Sequence, residues 1–104
     1  MYKLLLSGLA LNDLAEIRAY IADNLKNPSA ALSTIQSITE DMRTLQTLPL
    51  SGTPLSAIAD VQTEHRFLVT GNYLTFYRVQ DKTVFIDRVL YGRRDWLRIL
   101  LEDS

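Results

Sequence analysis

The chain has 104 residues, no cysteine, one histidine and a formal net charge of −1. This length fits one domain, residues 1–104, and the absence of cysteine excludes disulfides and thiolate metal sites. A zinc site would need mainly carboxylate ligands, which is uncommon, so we expect neither a metal nor a cofactor. The apolar run at the N-terminus is too short for a signal peptide or a membrane span, and we expect a soluble cytoplasmic protein.

Charge is distributed unevenly along the chain. Between His65 and Arg98, seven basic residues stand against three acidic ones, which gives a local charge of +4. The remaining residues hold four basic and nine acidic groups, or −5. The basic C-terminal third could attract an anionic partner, although an ordinary surface with uneven charge explains the same pattern.

A short strand and a first helix are predicted at the N-terminal end. Residues 2–6 form an apolar run that fits a strand. Asn12 and Asp13 offer capping oxygens for a helix over about residues 11–25. The spacing of apolar residues predicts one buried helical face, formed by Leu14, Ile17, Ile21 and Leu25.

A second helix is predicted to pack against the first as a hairpin. Asn27 suits an N-cap and Pro28 suits the first helical position. Apolar residues then recur at spacings of 4, 3, 4 and 3, which is typical of two antiparallel helices: Ala31, Ile35, Ile38, Met42 and Leu45. Leu48-Pro49 ends the helix, and residues 49–64 are predicted to be a long loop, either a spacer or a functional segment.

The pattern then changes to strands. Residues 66–70, 73–79 and 83–90 are rich in aromatic and β-branched side chains, with Gly71-Asn72 and Asp81-Lys82 between them. Two tight hairpins predict a three-stranded antiparallel meander. Residues 93–102 are predicted to form a short C-terminal helix. The whole order is β-α-α-β-β-β-α, an α+β fold with a helical hairpin on one face of a small, mainly antiparallel sheet.

Both faces of the predicted sheet are largely apolar. With two-residue turns, one face carries Arg66, Leu68, Thr70, Tyr73, Thr75, Tyr77, Val84, Ile86, Arg88 and Leu90. The other carries His65, Phe67, Val69, Leu74, Phe76, Arg78, Phe85, Asp87 and Val89. The helical hairpin can cover only one face. The second face needs the C-terminal helix, another chain or both, which predicts an interaction surface.

Several polar residues are candidates for chemistry, each with a structural alternative. Arg93 and Arg94, at the predicted start of a helix, fit a site for a phosphate or an acidic peptide, or are simply solvated. Arg78 is predicted to form a salt bridge with Asp87. Among the tyrosines that could stack on bases, Tyr73 and Tyr77 fit the core better, and Tyr91 at a strand end is the stronger functional candidate. The single histidine, His65, forms no recognisable triad.

The order of elements, together with Phe76-Tyr77-Arg78-Val79 and the run from Ile86 to Asp95 through Tyr91-Gly92-Arg93-Arg94, resembles the RelE/ParE toxin superfamily. Gly71-Asn72-Tyr73 also matches the family's turn and strand entry. The resemblance covers nearly the whole chain and implies a growth-inhibiting toxin that a cognate antitoxin holds inactive. The antitoxin would cover the surplus sheet face, at Phe67, Leu74, Phe76, Arg78, Phe85 and Trp96.

Two mechanisms divide this superfamily. RelE-like members cleave messenger RNA on the ribosome without a metal, and here Arg66, Tyr91, Arg93 and Arg94 would be the catalytic candidates. ParE-like members inhibit DNA gyrase. Leu68 and Leu74 stand where RelE-like enzymes carry basic residues, and the tail motif resembles the ParE branch. The resemblance therefore favours a gyrase inhibitor, with a ribosome-dependent endoribonuclease and a non-toxic protein-binding module as alternatives.

Overall fold

The computed structural model describes residues 1–103 of the chain. The elements, in chain order, are β1 (Lys3–Leu6), α1 (Gly8–Ala19), a π-helical turn (Tyr20–Asn24), α2 (Pro28–Thr44), β2 (Thr53–Pro54), a 3₁₀ turn (Leu55–Ala57), β3 (Arg66–Thr70), β4 (Tyr73–Gln80), β5 (Thr83–Tyr91) and α3 (Trp96–Asp103). None of the described helices is long and apolar enough to cross a membrane.

The five strands form one sheet in the order β1-β5-β4-β3-β2. β1 runs parallel to β5, and the other neighbours are antiparallel. The helical hairpin of α1 and α2 connects β1 to the meander and packs on one face of the sheet. The predicted α+β architecture is confirmed, and the position of the first strand, which the sequence left open, is at the edge beside β5.

The first helix begins earlier than predicted. Its N-cap is Ser7, whose Oγ accepts a hydrogen bond from the Ala10 N–H at 3.0 Å. The same hydroxyl donates to the Asp87 carbonyl of β5 at 2.8 Å, so the cap also ties the helix to the sheet. The prediction that Asn12 and Asp13 cap this helix is wrong, because both lie inside it.

A π-helical turn ends the first helix and changes which residues are buried. In a π turn the hydrogen bonds span five residues, which widens the helix and rotates the positions that follow. Leu25, predicted to lie on the buried face, is 57 % exposed. The second helix starts as predicted, with Pro28 in the first turn and the Asn27 side chain accepting from the Ala30 N–H at 3.1 Å.

A β-bulge in β5 corrects the predicted assignment of the two sheet faces. Both two-residue turns are present, but Tyr77 pairs with Ile86 while Phe76 pairs with Arg88, so Asp87 has no partner on β4. One extra residue reverses the alternation beyond it. Val89 therefore packs under the helices and Leu90 on the opposite face, the reverse of the prediction.

The two faces of the sheet carry separate apolar clusters. The larger lies between the helical hairpin and the sheet and includes Ile38, Met42, Tyr77 and Ile86. The smaller lies on the other face, where α3 and the loop before β3 cover Phe67, Phe76 and Leu90. Leu55 of the 3₁₀ turn and Leu100 of α3, both fully buried, supply the covering side chains, so the long loop is a wall of this second core.

Candidate functional site: a cleft lined by three tyrosines

A cleft of about 470 Å³ opens between the first helix and the ends of β4 and β5. Its mainly apolar walls are Ile17, Tyr20, Leu25, Tyr73, Val89 and Tyr91. Its polar lining comes from Asp13, Glu16, Asn72 and Arg94. We call it the tyrosine cleft. Its volume is in the range of pockets that take a small molecule or a few side chains of a partner.

The three tyrosines converge from different elements. Tyr73 and Tyr91 are cross-strand partners, with ring centroids 5.7 Å apart, and Tyr20 comes from the π-helical turn. Burial raises the pKa of Tyr73 above its usual value, and the nearby hydroxyls of Tyr91 and Tyr20 raise it further. Tyr73 therefore remains a neutral phenol at physiological pH. At the rim, Tyr20 is 52 % exposed and Leu25 is 57 % exposed.

A buried ion pair fixes one wall of the cleft. Arg88 donates from Nε to Asp13 Oδ2 and from Nη2 to Asp13 Oδ1, each at 2.8 Å. The Val89 N–H also donates to Asp13 Oδ2, at 2.9 Å. Both side chains are less than a tenth exposed. Asp13 therefore holds the first helix against β5, and because Arg88 neutralises its charge it offers little free charge to a ligand.

Arg94 supplies the positive charge of the cleft. Among the described side chains, those of residues 1–102, it has no ion-pair or hydrogen-bond partner. Arg93 is exposed but does not line the cleft, and Arg98 is held by Asp95 at 3.0 Å and by Glu102 at 3.1 Å. Glu16 accepts a hydrogen bond from the Asn12 amide at 3.1 Å. An anionic group entering the cleft would meet Arg94 as its available cation.

Of the four residues predicted for ribonuclease chemistry, Tyr91 and Arg94 line the tyrosine cleft, whereas Arg93 does not and Arg66 lies elsewhere on the sheet. Arg66 pairs with Tyr77, whereas Tyr91 pairs with Tyr73, four residues away along β4. At about 3.3 Å per residue, the two positions are roughly 13 Å apart along the sheet. Arg66 is also occupied, since its Nη1 donates to the carbonyls of Gly52 at 2.9 Å and Leu50 at 3.3 Å.

The residues predicted to bind an antitoxin fall into two groups. Trp96 belongs to α3 itself and packs on Phe76, with 5.4 Å between the ring centroids. Phe67 lies in the same cluster, and Leu74 is half-buried against it. Arg78 and Phe85 lie on the same face outside that cluster, with the guanidinium carbon 5.4 Å from the ring centroid. Only this second group presents side chains that α3 leaves uncovered.

The predicted pairing of Arg78 with Asp87 is confirmed and extends further. Arg78 donates to Asp87 from Nε at 2.7 Å and from Nη2 at 3.1 Å. His65 Nε2 lies 2.9 Å from the same carboxylate, and Thr63 Oγ1 lies 2.6 Å from His65 Nδ1. Burial alone would raise the pKa of Asp87, but the hydrogen bonds from His65 and Arg78 outweigh it and lower the pKa.

We expect the lowered pKa of Asp87 to make folding sensitive to acid. The ionised carboxylate contributes stability that is fully present above its unfolded pKa of about 4 and is lost as pH falls through the folded value. Urea unfolding of the wild type and of Asp87→Asn between pH 3 and pH 7 checks this. The wild type should be more stable at pH 7, and the difference should shrink below about pH 4. A difference that is constant across pH would contradict the assignment.

Several lining residues were not identified from the sequence as parts of a site. Asp13 was taken for a helix cap, Leu25 for core, and Tyr20 received no role. Tyr20 follows Ile17 by three residues, so it lies near the same helical face, and that spacing was the available signal. Among the side chains that the structure describes, those of residues 1–102, no three histidine, aspartate or glutamate residues come together in a group that could hold a metal ion.

Comparison with known proteins identifies the family. The profile of the ParE toxin of the type II toxin–antitoxin system, parDE, matches residues 4–96. The chain therefore belongs to the ParE toxin family, and the predicted membership of the RelE/ParE superfamily is confirmed. No curated protein matches the chain.

Two solved structures are similar to this chain. A structure of the chromosomal ParDE TA system from P. aeruginosa is similar with a TM-score of 0.73 and 26 % sequence identity, covering 88 % of this chain and 96 % of that one. The crystal structure of YafQ from E. coli strain BL21(DE3) has a TM-score of 0.48 and 18 % identity, covering 88 % and 93 %. The first of these supports the ParE fold over most of the chain.

Proposed function

We propose that this protein is a toxin that arrests growth by inhibiting DNA gyrase and is neutralised by a cognate antitoxin. Membership of the ParE toxin family over residues 4–96 carries the proposal. The separation of Arg66 from Tyr91 and Arg94 supports it over RNA cleavage, because a metal-free ribonuclease needs its cations gathered around one phosphate. The cleft also offers no surplus of cations to an RNA backbone, since Arg88 is paired with Asp13 and Glu16 lines the same cleft as Arg94.

The antitoxin is proposed to cover the end of the second sheet face that α3 leaves open. Phe85 pairs with Leu5 of the edge strand β1 on one side and with Arg78 on the other. Leu5 is 41 % exposed and the Arg78 side chain is 36 % exposed. An apolar segment with an acidic residue near Arg78 would complement this surface.

Induced expression with and without the neighbouring small reading frame tests the proposal. We expect growth arrest with DNA-damage signalling and intact transcripts, and relief of arrest when the neighbouring product is present. Purified protein should inhibit supercoiling by DNA gyrase. Transcripts cut only in translated regions would instead indicate a ribosome-dependent endoribonuclease. Soluble protein that causes no arrest would leave the non-toxic binding module as the explanation.

A further inference from the structure

The tyrosine cleft has the composition of a protein-binding site. Tyr20 and Leu25 place apolar surface at its rim, where each is more than half exposed, and the Tyr73–Tyr91 pair forms a firm wall behind them. Tyrosine is enriched at the centres of protein interfaces because it buries a large area and keeps a hydroxyl for hydrogen bonding. One apolar or aromatic side chain of a partner fits the apolar part of this space.

The charged residues of the cleft indicate which residue of the partner would lie beside that apolar side chain. Arg88 neutralises Asp13, which also accepts from the Val89 N–H, and Glu16 accepts a hydrogen bond from the Asn12 amide. The side chain of Arg94 has no partner among the side chains of residues 1–102. A carboxylate next to the apolar anchor would pair with Arg94, and the Asn72 amide on the lining can bond to a peptide backbone.

A protein fits the cleft better than a nucleic acid does. A nucleic acid strand draws most of its affinity from several cations spread along the phosphates. The cleft provides one arginine together with two carboxylates, Asp13 and Glu16. Because Arg88 already neutralises Asp13, the charges of Glu16 and Arg94 balance, so repeated phosphates would find no surplus of positive charge along these walls.

The cleft also lies apart from the surface proposed for the antitoxin. The Tyr73–Tyr91 pair is at one end of the β4–β5 ladder, and the Arg78–Phe85 pair is five residues further along β4. This separation is roughly 16 Å at the usual rise of a strand. Tyr73 packs towards the helical hairpin, whereas Arg78 and Phe85 are on the opposite face. Each surface can therefore be altered without direct contact with the other.

We propose that this toxin binds its cellular target protein through the tyrosine cleft. The cleft receives an apolar or aromatic side chain of the target, and an adjacent carboxylate of the target pairs with Arg94. The proposal rests on the toxin function proposed above. It assigns target binding to the cleft, and antitoxin binding to the surface around Phe85.

The test compares Tyr20→Ala/Arg94→Ala with a matched control, Leu32→Ala/Arg93→Ala. The control removes one exposed apolar side chain and one arginine outside the cleft, since Leu32 is 58 % exposed on α2 and Arg93 does not line it. We expect the cleft variant to need about tenfold more protein than the wild type for growth arrest, and the control to match the wild type within about twofold. The dissociation constant of the purified complex with the antitoxin should change less than about twofold in both.

The possible results distinguish failure of this inference from failure of the proposed toxin function. Equal potency of the cleft variant and the wild type would overturn the inference alone, whereas a wild type that arrests nothing would overturn the proposed function and the inference with it. A parallel loss of toxicity and antitoxin affinity would assign the cleft to the antitoxin. If the cleft variant instead loses binding to a DNA duplex in a mobility-shift assay, the occupant is nucleic acid and the protein assignment fails. Thermal unfolding of both variants near the wild-type midpoint excludes misfolding.

Discussion

Replacing Asp13 with alanine should lower the free energy of unfolding by about 3–5 kcal/mol, because it removes the carboxylate that Arg88 contacts through two nitrogens deep in the protein. Asp13 and Arg88 are 5 % and 7 % exposed, so water cannot readily take the place of the lost contacts. The Val89 N–H loses its acceptor as well. Thermal melting followed by circular dichroism should show a midpoint lowered by roughly 15 °C or more.

Two further variants test whether the loss of stability in Asp13→Ala comes from the unpaired buried charge of Arg88. Asp23→Ala removes an exposed carboxylate from the π-helical turn that follows the same helix, and should change stability by less than about 0.5 kcal/mol. The double variant Asp13→Leu/Arg88→Met replaces the ion pair by apolar side chains and should recover most of the stability lost in Asp13→Ala, since apolar pairs often substitute well for buried ion pairs. A mild effect of Asp13→Ala itself would show that the ion pair does not hold the first helix to β5.

Gly52→Ala should be the second most damaging substitution. A methyl group at this position would lie 2.5 Å from Tyr77 Oη, 2.7 Å from Tyr77 Cε1 and 2.8 Å from the Phe67 carbonyl oxygen. The Gly52 N–H donates to Tyr77 Oη at 2.9 Å, and the Tyr77 hydroxyl donates to the Pro49 carbonyl at 2.9 Å. Tyr77 is fully buried and cannot move aside, so we expect a loss of roughly 3 kcal/mol in the free energy of unfolding, measured by urea titration.

Gly8→Ala is the matched control for this steric argument. A methyl group at Gly8 would meet no atom within 4 Å, and the residue is in the first turn of α1. Alanine has the higher helix propensity, so the control should be neutral or stabilise the protein by up to about 1 kcal/mol. Destabilisation of similar size at both positions would mean that close contact with Tyr77 is not the cause at Gly52.

Local patterns in the sequence were sufficient for the helical hairpin, the meander, the C-terminal helix and the family, but not for β2 and the 3₁₀ turn, which lie in the predicted loop, or for the start of α1. Alternation and turn residues predicted the meander, the repeat of apolar residues predicted the helical hairpin, and Asn27-Pro28 marked the start of α2. The Arg78–Asp87 pair was also predictable, because a buried arginine in a strand needs an acid on the same face. These features depend either on residues that are neighbours in the sequence or on the register of a single hairpin. The stereochemistry of short chain segments determines both the neighbour contacts and the register.

The tyrosine cleft, by contrast, was decided by the tertiary structure. Ser7 displaced Asn12 and Asp13 as the helix cap because its hydroxyl also reaches the Asp87 carbonyl, eighty residues along the chain. The bulge at Asp87 placed Val89 beneath the helices, and the π-helical turn brought Tyr20 and Leu25 to the rim. The sequence alone determined the meander, the helical hairpin and the family, because those depend on local periodicity. Which residues meet across the fold depends on long-range packing, where one extra residue in a strand or a helical turn redirects every side chain that follows.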